Sequence, residues 1–303
     1  MKVIIPVAGY GTRLRPHTLT IQKTLLPVAG KPTLDLILEP LLNQGITEIT
    51  LIIGHFGDQV RQHVEPLPGT FRFVEQTERL GLGHAVYQGL EDRDEPLLIQ
   101  LGDTIFKGNY ETFLAQDHST IAVMPVEDPS RFGVIETNGS AITGFFEKVD
   151  NPPSNLAISG LYAIRSERRL KTALETLFQK DIRTRGEYQL TDALALMLKS
   201  GEPFAYQQVP YYDVGVPETF LETNRALLQP HHDDYNGVII REPVHVGESC
   251  RLQDSTLGPA VTIMDHCIIR NCIIQNSIVL AGSVLENQTI EGKIVAGNGS
   301  QFC

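Results

Sequence analysis

A glycine-rich, basic stretch near the start of the chain is the first candidate for chemistry. Residues 4–31 read IPVAGYGTRLRPHTLTIQKTLLPVAGKP, so glycines, arginines and lysines follow directly on an apolar run. Backbone N–H groups of residues 9–13 can approach an anion closely, and the Arg13 guanidinium can add charged hydrogen bonds. The pattern indicates a binding site for a small, highly charged anion.

Two common phosphate-binding motifs are excluded by the spacing. The dinucleotide fingerprint G-x-G-x-x-G would need glycine where Leu14 stands, and the Walker A loop would need glycine where Leu25 stands. The whole chain carries 36 acidic against 25 basic residues, a formal charge of −11. We therefore expect neither nucleic acid nor a membrane as a partner, because a broad basic surface is missing.

Strand and helix patterns alternate up to about residue 228 and must position this loop. KVIIPVAG predicts a buried first strand, and the apolar spacing over 32–45 predicts a helix that ends at Gly45. Continued alternation predicts an α/β, Rossmann-like, mostly parallel sheet covered by helices, with extra strands over 120–165. Such sheets bind ligands at the carboxyl ends of their strands, where residues 9–13 lie.

Beyond residue 240 the apolar spacing changes to five or six residues. The repeated positions are Val246, Leu252, Leu257, Ile263, Ile268, Ile273, Ile278, Val284, Ile290 and Val295. A helix cannot keep these residues on one face, whereas a short left-handed parallel β-helix of hexapeptide repeats can, and ten positions make about three coils. Adjacent pairs such as Ile273 and Ile274 place one member inside the coil and the other outside.

A polar segment separates the two patterns. We predict an α/β domain at 1–228, a linker at 229–239 and the β-helix at 240–303. His231, His232, Asp233 and Asp234 in the linker could imitate a metal site, but an exposed polar connection is the favoured interpretation because no further ligand cluster lies nearby.

Composition and cysteine usage indicate the compartment. The four cysteines all lie between residues 250 and 303 and do not form a secreted disulfide framework, so we expect buried thiols. The first apolar run is too short for a signal peptide, and no stretch reaches membrane-spanning length. We therefore expect a cytoplasmic protein.

The glycine-rich stretch resembles the signature of the sugar-1-phosphate nucleotidyltransferases, G-x-G-T-R-L-x-P-x-T followed by P-K-x-L-L-P-V and K-P. One departure is Gln22, which stands where the family usually has proline. Further segments resemble the family at corresponding positions: EQTERLGLGHAV (75–86), LGD (101–103), FGVIE (132–136), EKVDNPPSNLAISGLY (147–162), RGEYQLTDAL (185–194) and YYDVGVPETFLETN (211–224). The resemblance covers about 1–228, and the repeat that follows is similar to the tail of long-form glucose-1-phosphate thymidylyltransferases.

The resemblance implies a reaction between two polyanions. A phosphate oxygen of a sugar 1-phosphate attacks the α-phosphorus of a nucleoside triphosphate, and pyrophosphate leaves. Because the reactants repel each other, positive charges must bring them together. The resemblance assigns Arg13 to the departing phosphates, Lys23 to the α-phosphate and Lys148 to the attacking sugar phosphate. No general base is needed, since the attacking oxygen is already ionised.

The resemblance also implies the nucleotide-binding residues. Ala8, Gly9, Gly11 and Thr12 belong to the loop beside the triphosphate. The Gln76 amide complements the edge of thymine or uracil, and Gly81 permits close approach of the base. We expect a pyrimidine triphosphate, with dTTP favoured and UTP close behind.

Sugar and metal ligands follow from the same resemblance. Glu147 and Glu187 would accept hydrogen bonds from sugar hydroxyls. The other sugar-binding candidates are Gly133, Asn155 and Gly160. Asp103 and Asp213 would hold Mg²⁺, which keeps several waters and bridges phosphate oxygens.

Several other functions stay open. The glucose 1-phosphate enzyme could use UTP instead of dTTP, the β-helix could add acyl transfer, or the chain could be an inactive regulatory subunit. Retention of Arg13, Lys23, Asp103, Lys148 and Asp213 favours the enzyme. We also expect a homo-oligomer through the β-helix, because a short solenoid with outward aliphatic residues needs a partner surface.

Overall fold

The computed structural model describes residues 1–230, 235–297 and 300–302. The four linker residues from His231 to Asp234, and Cys303, lie outside the described residues. The chain divides into two compact units, of which unit 1 holds Met1–Gly9 and Ile37–Tyr211 and unit 2 holds Tyr10–Leu36 and Tyr212–Cys303. The glycine-rich stretch thus changes unit between Gly9 and Tyr10.

Strands and helices before the solenoid follow the predicted alternation closely. In chain order they are β1 (Lys2–Pro6), β2 (Pro27–Val28), β3 (Lys31–Pro32), α1 (Thr33–Asn43), β4 (Glu48–Ile53), α2 (Gly57–Val64), β5 (Thr70–Glu75), α3 (Leu82–Gly89), β6 (Leu97–Gln100), β7 (Thr104–Phe106), α4 (Tyr110–Leu114), β8 (Ser119–Pro125), β9 (Gly133–Asn138), β10 (Ala141–Glu147), β11 (Leu156–Ile164), α5 (Glu167–Gln179), α6 (Leu190–Lys199), β12 (Phe204–Gln208), β13 (Tyr211–Asp213) and α7 (Pro217–Leu227). Short 3₁₀ helices at Thr12–Leu14, His17–Leu19 and Lys23–Leu25 carry the basic loop.

Among the described residues, nine strands form the main sheet in the order β5-β4-β1-β6-β11-β8-β12-β10-β9. Strands β5, β4, β1 and β6 run parallel, as predicted for the first half. Strand β11 is antiparallel to both β6 and β8, so the 120–165 extension makes the sheet mixed. The carboxyl ends of β1, β4 and β5 therefore share one edge.

Apolar runs explain why the central strands form. Val3, Ile4 and Ile5 of β1 have no exposed surface, as expected for a parallel strand covered on both faces. Helix α3 packs on β1 and β4, and α6 packs on β10. The Lys2 ammonium, also in β1, is buried and pairs with the buried Glu167 carboxylate at 2.7 Å.

The solenoid contains three-residue strands. They are β14 (Val238–Ile240), β15 (Val244–Val246), β16 (Arg251–Gln253), β17 (Ser255–Leu257), β18 (Val261–Ile263), β19 (Ile268–Arg270), β20 (Ile273–Gln275), β21 (Ser277–Val279), β22 (Val284–Glu286), β23 (Thr289–Glu291), β24 (Ile294–Ala296) and β25 (Ser300–Phe302). Within the described ranges they stack as three sheets, β14-β17-β20-β23, β15-β18-β21-β24-β25 and β16-β19-β22. Strand β25 pairs antiparallel with β24, and the other pairings in these sheets are parallel. Parallel stacking in triplets is consistent with the predicted left-handed β-helix.

Coil length differs from an ideal hexapeptide repeat. Thr256 pairs with Ile273, and Ile273 pairs with Thr289, so successive coils take 17 and 16 residues. Three full hexapeptides would take more residues per coil. Turn residues with positive φ, such as Asn271 at 49° and Asn287 at 54°, let the chain change direction in this reduced length.

The predicted phase of the repeat is wrong in its middle part. The inward residues there are Ile269, Ile274, Val279 and Leu285, each without exposed surface in the solenoid core. The sequence-based choice was the preceding residue in each case, namely Ile268, Ile273, Ile278 and Val284. Two adjacent aliphatic residues leave the phase ambiguous, and a one-residue shift turns the side chain to the opposite face of the strand.

Outward side chains of the solenoid fall into two ladders with different surroundings. The first ladder is Ile239, Thr256, Ile273 and Thr289, in which Ile239 is 59% and Ile273 46% exposed. The second ladder is His245, Thr262, Ile278 and Ile294, in which Thr262 and Ile278 have no exposed surface. Helix α7 packs on β18 and β21 of the second ladder. Only part of the predicted outward stripe therefore faces solvent.

Membrane insertion by a helix finds no support in the described part of the chain. Its longest helices are short, and none of them is apolar enough over sufficient length to cross a bilayer.

Candidate active site

A cavity of about 240 Å³ in unit 1 brings several predicted site residues together. The predicted nucleotide-binding residues Ala8, Gly9, Gln76 and Gly81 line it, and so does Glu187, which was predicted to bind sugar. The turn after β1 and the segment between β5 and α3 thus face a common space. The cavity lies at the carboxyl edge of the parallel strands, as predicted.

Gln76 is held by the sheet itself. Its backbone N–H donates to the Ile53 carbonyl at 2.8 Å, which extends the β4–β5 pairing by one residue. The residue is 8% exposed and lines the cavity, so its amide is mostly desolvated. A desolvated amide that offers one donor and one acceptor is suited to read a base edge.

Two glycines at the cavity differ in what they require. A Cβ added at Gly9 would meet nothing within 4 Å, so packing does not demand glycine there. Gly81 has φ of +117°, and a Cβ would lie 2.6 Å from the Tyr188 carbonyl oxygen. Gly81 therefore permits the segment that carries Glu187 to approach α3, whereas we predicted only an approach by the base.

Glu147 and Lys148 form the second group in unit 1. The buried Glu147 carboxylate lies 3.2 Å from the Lys148 ammonium at the end of β10. A Cβ at Gly133 would lie 2.8 Å from Glu147 Oε2, so glycine makes room for the carboxylate. The Lys148 N–H donates to the Phe132 carbonyl at 3.0 Å, and Arg185 Nη2 donates to the Lys148 carbonyl at 2.8 Å.

Several carboxylates act on side chains near the second group. Burial raises the pKa of the Tyr162 phenol, and the charges of Glu147 and then Asp103 raise it further. Burial also raises the pKa of Asp192, although a hydrogen bond from Thr184 Oγ1 at 2.8 Å opposes the shift. The electrostatic influence of Asp103 and Glu147 on one phenol places both predicted residues in the same acidic region.

Asn155 immediately precedes β11, and Gly160 lies within the irregular part of that strand, between Ile158 and Tyr162. The exposed Asn155 accepts a hydrogen bond from the Val126 N–H through its carbonyl, at 3.0 Å. Gly160 has φ of +89°, and a Cβ would lie 3.0 Å from Thr104 Oγ1. Its carbonyl accepts from the Leu101 N–H at 2.9 Å, so Gly160 fixes the strand beside Asp103. Their sugar-binding roles stay predictions.

The basic loop of unit 2 carries the other cations. Gly11 adopts φ of +60°, and its carbonyl accepts from Thr18 Oγ1 at 2.8 Å. A Cβ at Gly11 would lie 3.0 Å from Lys23 Cβ, so the loop brings these two predicted residues together. Thr12 and Arg13 are exposed, and Lys23 is half-buried.

Gln22 has a role that explains how the loop tolerates the loss of proline. Its Oε1 accepts hydrogen bonds from the Thr24 N–H and Thr24 Oγ1, both at 2.6 Å. This caps the 3₁₀ helix that begins at Lys23. The backbone of Gln22 has φ of −62°, the angle that proline would impose. The departure from the family motif therefore preserves the backbone and adds a side-chain cap.

Asp213 ends β13 in unit 2. Its Oδ1 accepts from the Gly215 N–H at 3.0 Å, and its carbonyl accepts from Thr223 Oγ1 at 2.9 Å. No group of three or more His, Cys, Asp and Glu side chains that could hold a metal occurs among the described residues. The carboxylates of Asp103 and Asp213 nevertheless fit Mg²⁺ chemically, because this hard cation uses one or two carboxylates together with water and phosphate oxygens.

Three residues near these groups were not predicted individually. Arg79 lines the cavity of unit 1, Arg185 holds the Lys148 carbonyl, and Asp192 lies in the acidic region. The sequence carried a signal for all of them, since EQTERLGLGHAV and RGEYQLTDAL contain them. What it lacked was the contact that distinguishes them from neighbouring polar residues.

Comparison with known proteins identifies relatives of the whole α/β part. The sequence model described as "Nucleotidyl transferase" matches residues 2–230. The low-salt glycan biosynthesis nucleotidyltransferase Agl11 of Haloferax volcanii is 34% identical over 245 residues, which cover 76% of this chain and 66% of Agl11. The glucose-1-phosphate thymidylyltransferase of Streptomyces antibioticus is 29% identical over 312 residues, covering 89% of this chain and 84% of that protein.

A solved structure agrees with these relatives. A UDP-glucose pyrophosphorylase complexed with UDP-glucose superimposes with a TM-score of 0.63 at 27% identity, over 74% of this chain and 97% of that chain. The chain spans 66% of the length of Agl11 and between 54% and 59% of that of several archaeal proteins named bifunctional GlmU. The match to 2–230, together with the fold and the grouped motif residues, confirms the predicted family: the chain belongs to the nucleotidyl transferase family.

Proposed function

We propose that this protein transfers a nucleotidyl group from a pyrimidine nucleoside triphosphate to glucose 1-phosphate and releases pyrophosphate. The observation that carries the proposal is the cavity shared by the Gly9 turn and the Gln76 amide. A phosphate-binding backbone and a base-reading amide in one space are suited to a nucleotide. The names of the thymidylyltransferase and UDP-glucose relatives support the choice of sugar and base.

Gln76 favours a pyrimidine donor, with dTTP preferred and UTP as the close alternative. Its amide can donate to a base carbonyl and accept from a base N–H, and both groups occur on the edge of thymine and uracil. Since the residue is 8% exposed, an unsuitable base would leave a buried amide unpaired. The amide alone does not distinguish thymine from uracil, which differ in a methyl group.

Three cations carry the proposed phosphate chemistry. Arg13 binds the departing β- and γ-phosphates, Lys23 stabilises the charge that develops on the α-phosphate, and Lys148 binds the phosphate of the sugar. Lys148 is the best supported of these, because both its N–H and its carbonyl are held. Fixed cations stabilise a developing charge without reorganising during the reaction.

Mg²⁺ is part of the proposal, with Asp103 and Asp213 as its protein ligands. When bound, the ion neutralises phosphate oxygens and orients the leaving pyrophosphate. Glu147 and Glu187 accept hydrogen bonds from the sugar hydroxyls, and Gly133 leaves room for the Glu147 carboxylate. Asn155 and Gly160 complete the proposed sugar-binding set.

The test is a panel of dTTP, UTP, GTP and ATP against several sugar 1-phosphates with Mg²⁺, scored by pyrophosphate release. We expect glucose 1-phosphate with dTTP or UTP to give the highest kcat/KM. Gln76→Ala should raise KM for the pyrimidine triphosphates and flatten the preference over purines. Gln116→Ala, which removes an amide that donates to the Thr112 carbonyl, should change neither. A purine preference in the wild-type protein would overturn the assignment of the base.

The β-helix is proposed to have a structural role and no acyltransferase activity. Acyl transfer would need a histidine base in the solenoid. The His245 ring lies against Gly30, and His266 is exposed at a turn with φ of 60°. Release of free coenzyme A from an acyl thioester by the purified protein would revive the bifunctional alternative. Absence of pyrophosphate release with every substrate pair would instead favour an inactive regulatory subunit.

We further propose that a second copy of the chain covers the exposed ladder. Ile239, Thr256, Ile273 and Thr289 form an uncharged strip, which a chain of net charge −11 can bury against itself without bringing like charges together. Ile273→Lys should reduce the particle mass in light scattering, while Gln253→Lys on another face should not. A wild-type protein that is monomeric at micromolar concentration would contradict the homo-oligomer.

A further inference from the structure

A single side-chain oxygen joins the basic loop to the solenoid within unit 2. Asn224 lies in α7 and is 1% exposed. Its Oδ1 accepts a hydrogen bond from the Ala29 N–H at 2.8 Å and another from Thr262 Oγ1 at 2.7 Å. The atom must be the amide oxygen, since the backbone N–H of Ala29 can only donate. Asn224 therefore connects the β2–β3 hairpin with strand β18.

The turn held by Asn224 is unfavourable for the chain by itself. Ala29 has φ of 50° and Gly30 has φ of 84°, so both central residues of the hairpin turn lie in the left-handed region. Alanine rarely adopts this region because its Cβ crowds the following carbonyl oxygen. Such a conformation persists where the surroundings fix it, and Asn224 supplies a hydrogen bond at this residue.

A solenoid side chain also contacts the tip of the hairpin. A Cβ added at Gly30 would lie 2.4 Å from His245 Nε2, so the backbone of the tip lies directly against the imidazole ring. His245 belongs to the same outward ladder as Thr262, the ladder that α7 also covers. Thr262 thus supports Ala29 through Asn224. Its ladder neighbour His245 contacts Gly30 directly.

Hydrogen bonds continue from the hairpin to Lys23. The Leu26 carbonyl at the base of the hairpin accepts from the Thr33 N–H at 3.1 Å and from Thr33 Oγ1 at 3.0 Å. The Leu26 N–H donates to the Lys23 carbonyl at 3.2 Å, which closes the 3₁₀ helix. Three residues therefore separate Lys23 from a hairpin whose turn is fixed by α7 and the solenoid.

We infer that Asn224 is a positioning residue for nucleotidyl transfer, which holds the hairpin of residues 27–32 on the solenoid and thereby fixes Lys23. The inference rests on the proposed function, because Lys23 is the cation assigned to the α-phosphate. Asn224 itself is buried and does not touch substrate. The solenoid thus contributes to catalysis as a rigid support, a role that differs from oligomerisation.

The Nδ2 group of Asn224 sharpens the expected effect of substitution. Within the described residues this nitrogen is buried and has no hydrogen-bond partner. The useful part of the side chain is therefore its acceptor oxygen. Aspartate keeps that acceptor and removes the unpaired donor, although it introduces a buried charge, whereas alanine removes the acceptor and leaves two donors unpaired.

The experiment compares four variants of the full chain in Mg²⁺-dependent pyrophosphate release. Asn224→Ala should lower kcat by about 10- to 100-fold with a smaller change in KM, because Lys23 acts mainly on charge developed in the transition state. Asn224→Asp should recover part of the rate, and Thr262→Val should lower it less. Arg225→Ala is the matched control, since this exposed residue on the same helix contacts Asn276 of the solenoid at 2.8 Å and does not reach the hairpin.

Hydrogen exchange of the hairpin amides gives a readout independent of turnover. Exchange in residues 27–33 should accelerate in Asn224→Ala and stay unchanged in Arg225→Ala. An active wild-type protein whose folded Asn224→Ala and Thr262→Val variants keep normal kcat would overturn this inference alone. Equal losses in Arg225→Ala would overturn it as well, because they would indicate general loosening of α7. A wild-type protein inactive with every substrate pair would overturn the proposed function.

Discussion

The two compact units hold their candidate substrate residues in different ways. In unit 1, Gln76 continues a parallel strand pair, and Glu147 ends β10. In unit 2, Lys23 lies on a three-residue 3₁₀ helix, and side chains of Gln22 and Asn224 fix the loop at two points. Regular sheet pairing positions the first set, whereas individual side-chain hydrogen bonds position the second.

The difference determines which substitutions should matter. Short 3₁₀ helices have poor hydrogen-bond geometry and little stability of their own, so the loop depends on its caps and contacts. A sheet edge is stabilised by many backbone bonds and tolerates the loss of one side chain. We therefore expect activity to respond to residues remote from substrate in unit 2, and mainly to residues that line the cavity in unit 1.

The largest expected effect comes from removing one charge in each unit. Lys23→Ala and Asp103→Asn should each reduce kcat by at least ~10², through loss of transition-state charge stabilisation and of metal binding. Lys180→Ala and Asp117→Asn are matched surface controls for which we expect unchanged turnover. Steady-state pyrophosphate release provides the measurement. Near-normal turnover in both folded variants would remove the proposed mechanism.

A glycine on each side of the unit boundary gives the next effect. A Cβ at Gly9 meets open space, so Gly9→Ala should fold normally and lose about 10-fold or more in kcat/KM because the methyl group enters the cavity. Gly11→Ala should instead cost about 1–2 kcal/mol of conformational energy from its left-handed backbone. It should also displace Thr18, whose Cγ2 would lie 2.8 Å from the new Cβ.

Urea unfolding and kinetics separate the two glycines. Gly9→Ala should keep the wild-type midpoint, and Gly11→Ala should shift it toward lower urea. If Gly9→Ala unfolds at lower urea but keeps normal activity, the glycine is required for stability. The approach of the ligand would then not depend on it.

Much of the fold was predictable, for reasons that differ between regions. The central strands were predictable because each is an uninterrupted apolar run. Helix α1 was predictable because its apolar residues recur at helical spacing and Gly45 follows its end. The phase of the solenoid was not predictable at Ile268–Arg270 or Ile273–Gln275, because adjacent isoleucines satisfy either register. Only packing against the coil interior distinguishes them.

The candidate site was predictable to the extent that motif positions carry it. The sequence identified Gln76, Gly81 and Glu187, which the fold gathers at one cavity. It did not identify Asn224, although the residue lies in the quoted segment 211–224, since its value depends on contacts with Ala29 and Thr262. Contacts between residues far apart in the chain have no local sequence signature.

Replacing Gln22 tests whether side chains or backbone fix the basic loop. Gln22→Ala removes the acceptor that caps the Lys23 helix, and a lost cap of about 1 kcal/mol corresponds to about a 5-fold loss in the population of the ordered loop. Gln22→Pro should stay closer to wild type, because proline presets the observed φ of −62°. The measurement is kcat for both variants beside hydrogen exchange of residues 22–26. Equal activity of Gln22→Ala and the wild-type protein would show that the position of Lys23 does not depend on the Gln22 cap.

The smallest expected effect concerns the acidic region of unit 1 and its dependence on pH. Burial raises the pKa of Asp192 above its unfolded value, so between these two values the folded state binds more protons than the unfolded state. Stability contributed by the protonated Asp192 is therefore present at low pH and is lost as pH rises through the folded pKa. Asp192→Asn removes this loss and keeps an acceptor oxygen for Thr184.

Urea unfolding of Asp192→Asn at pH 4 and pH 7 tests the direction of that linkage. The variant should gain stability relative to the wild-type protein between the two pH values, while the exposed Asp117→Asn should show no such gain. Because the Glu147 charge also raises the pKa of Asp192, the gain should shrink in a Glu147→Gln background. A variant that loses relative stability as pH rises would mean that Asp192 is stabilised as a carboxylate, and that unit 1 holds a compensating positive charge near it.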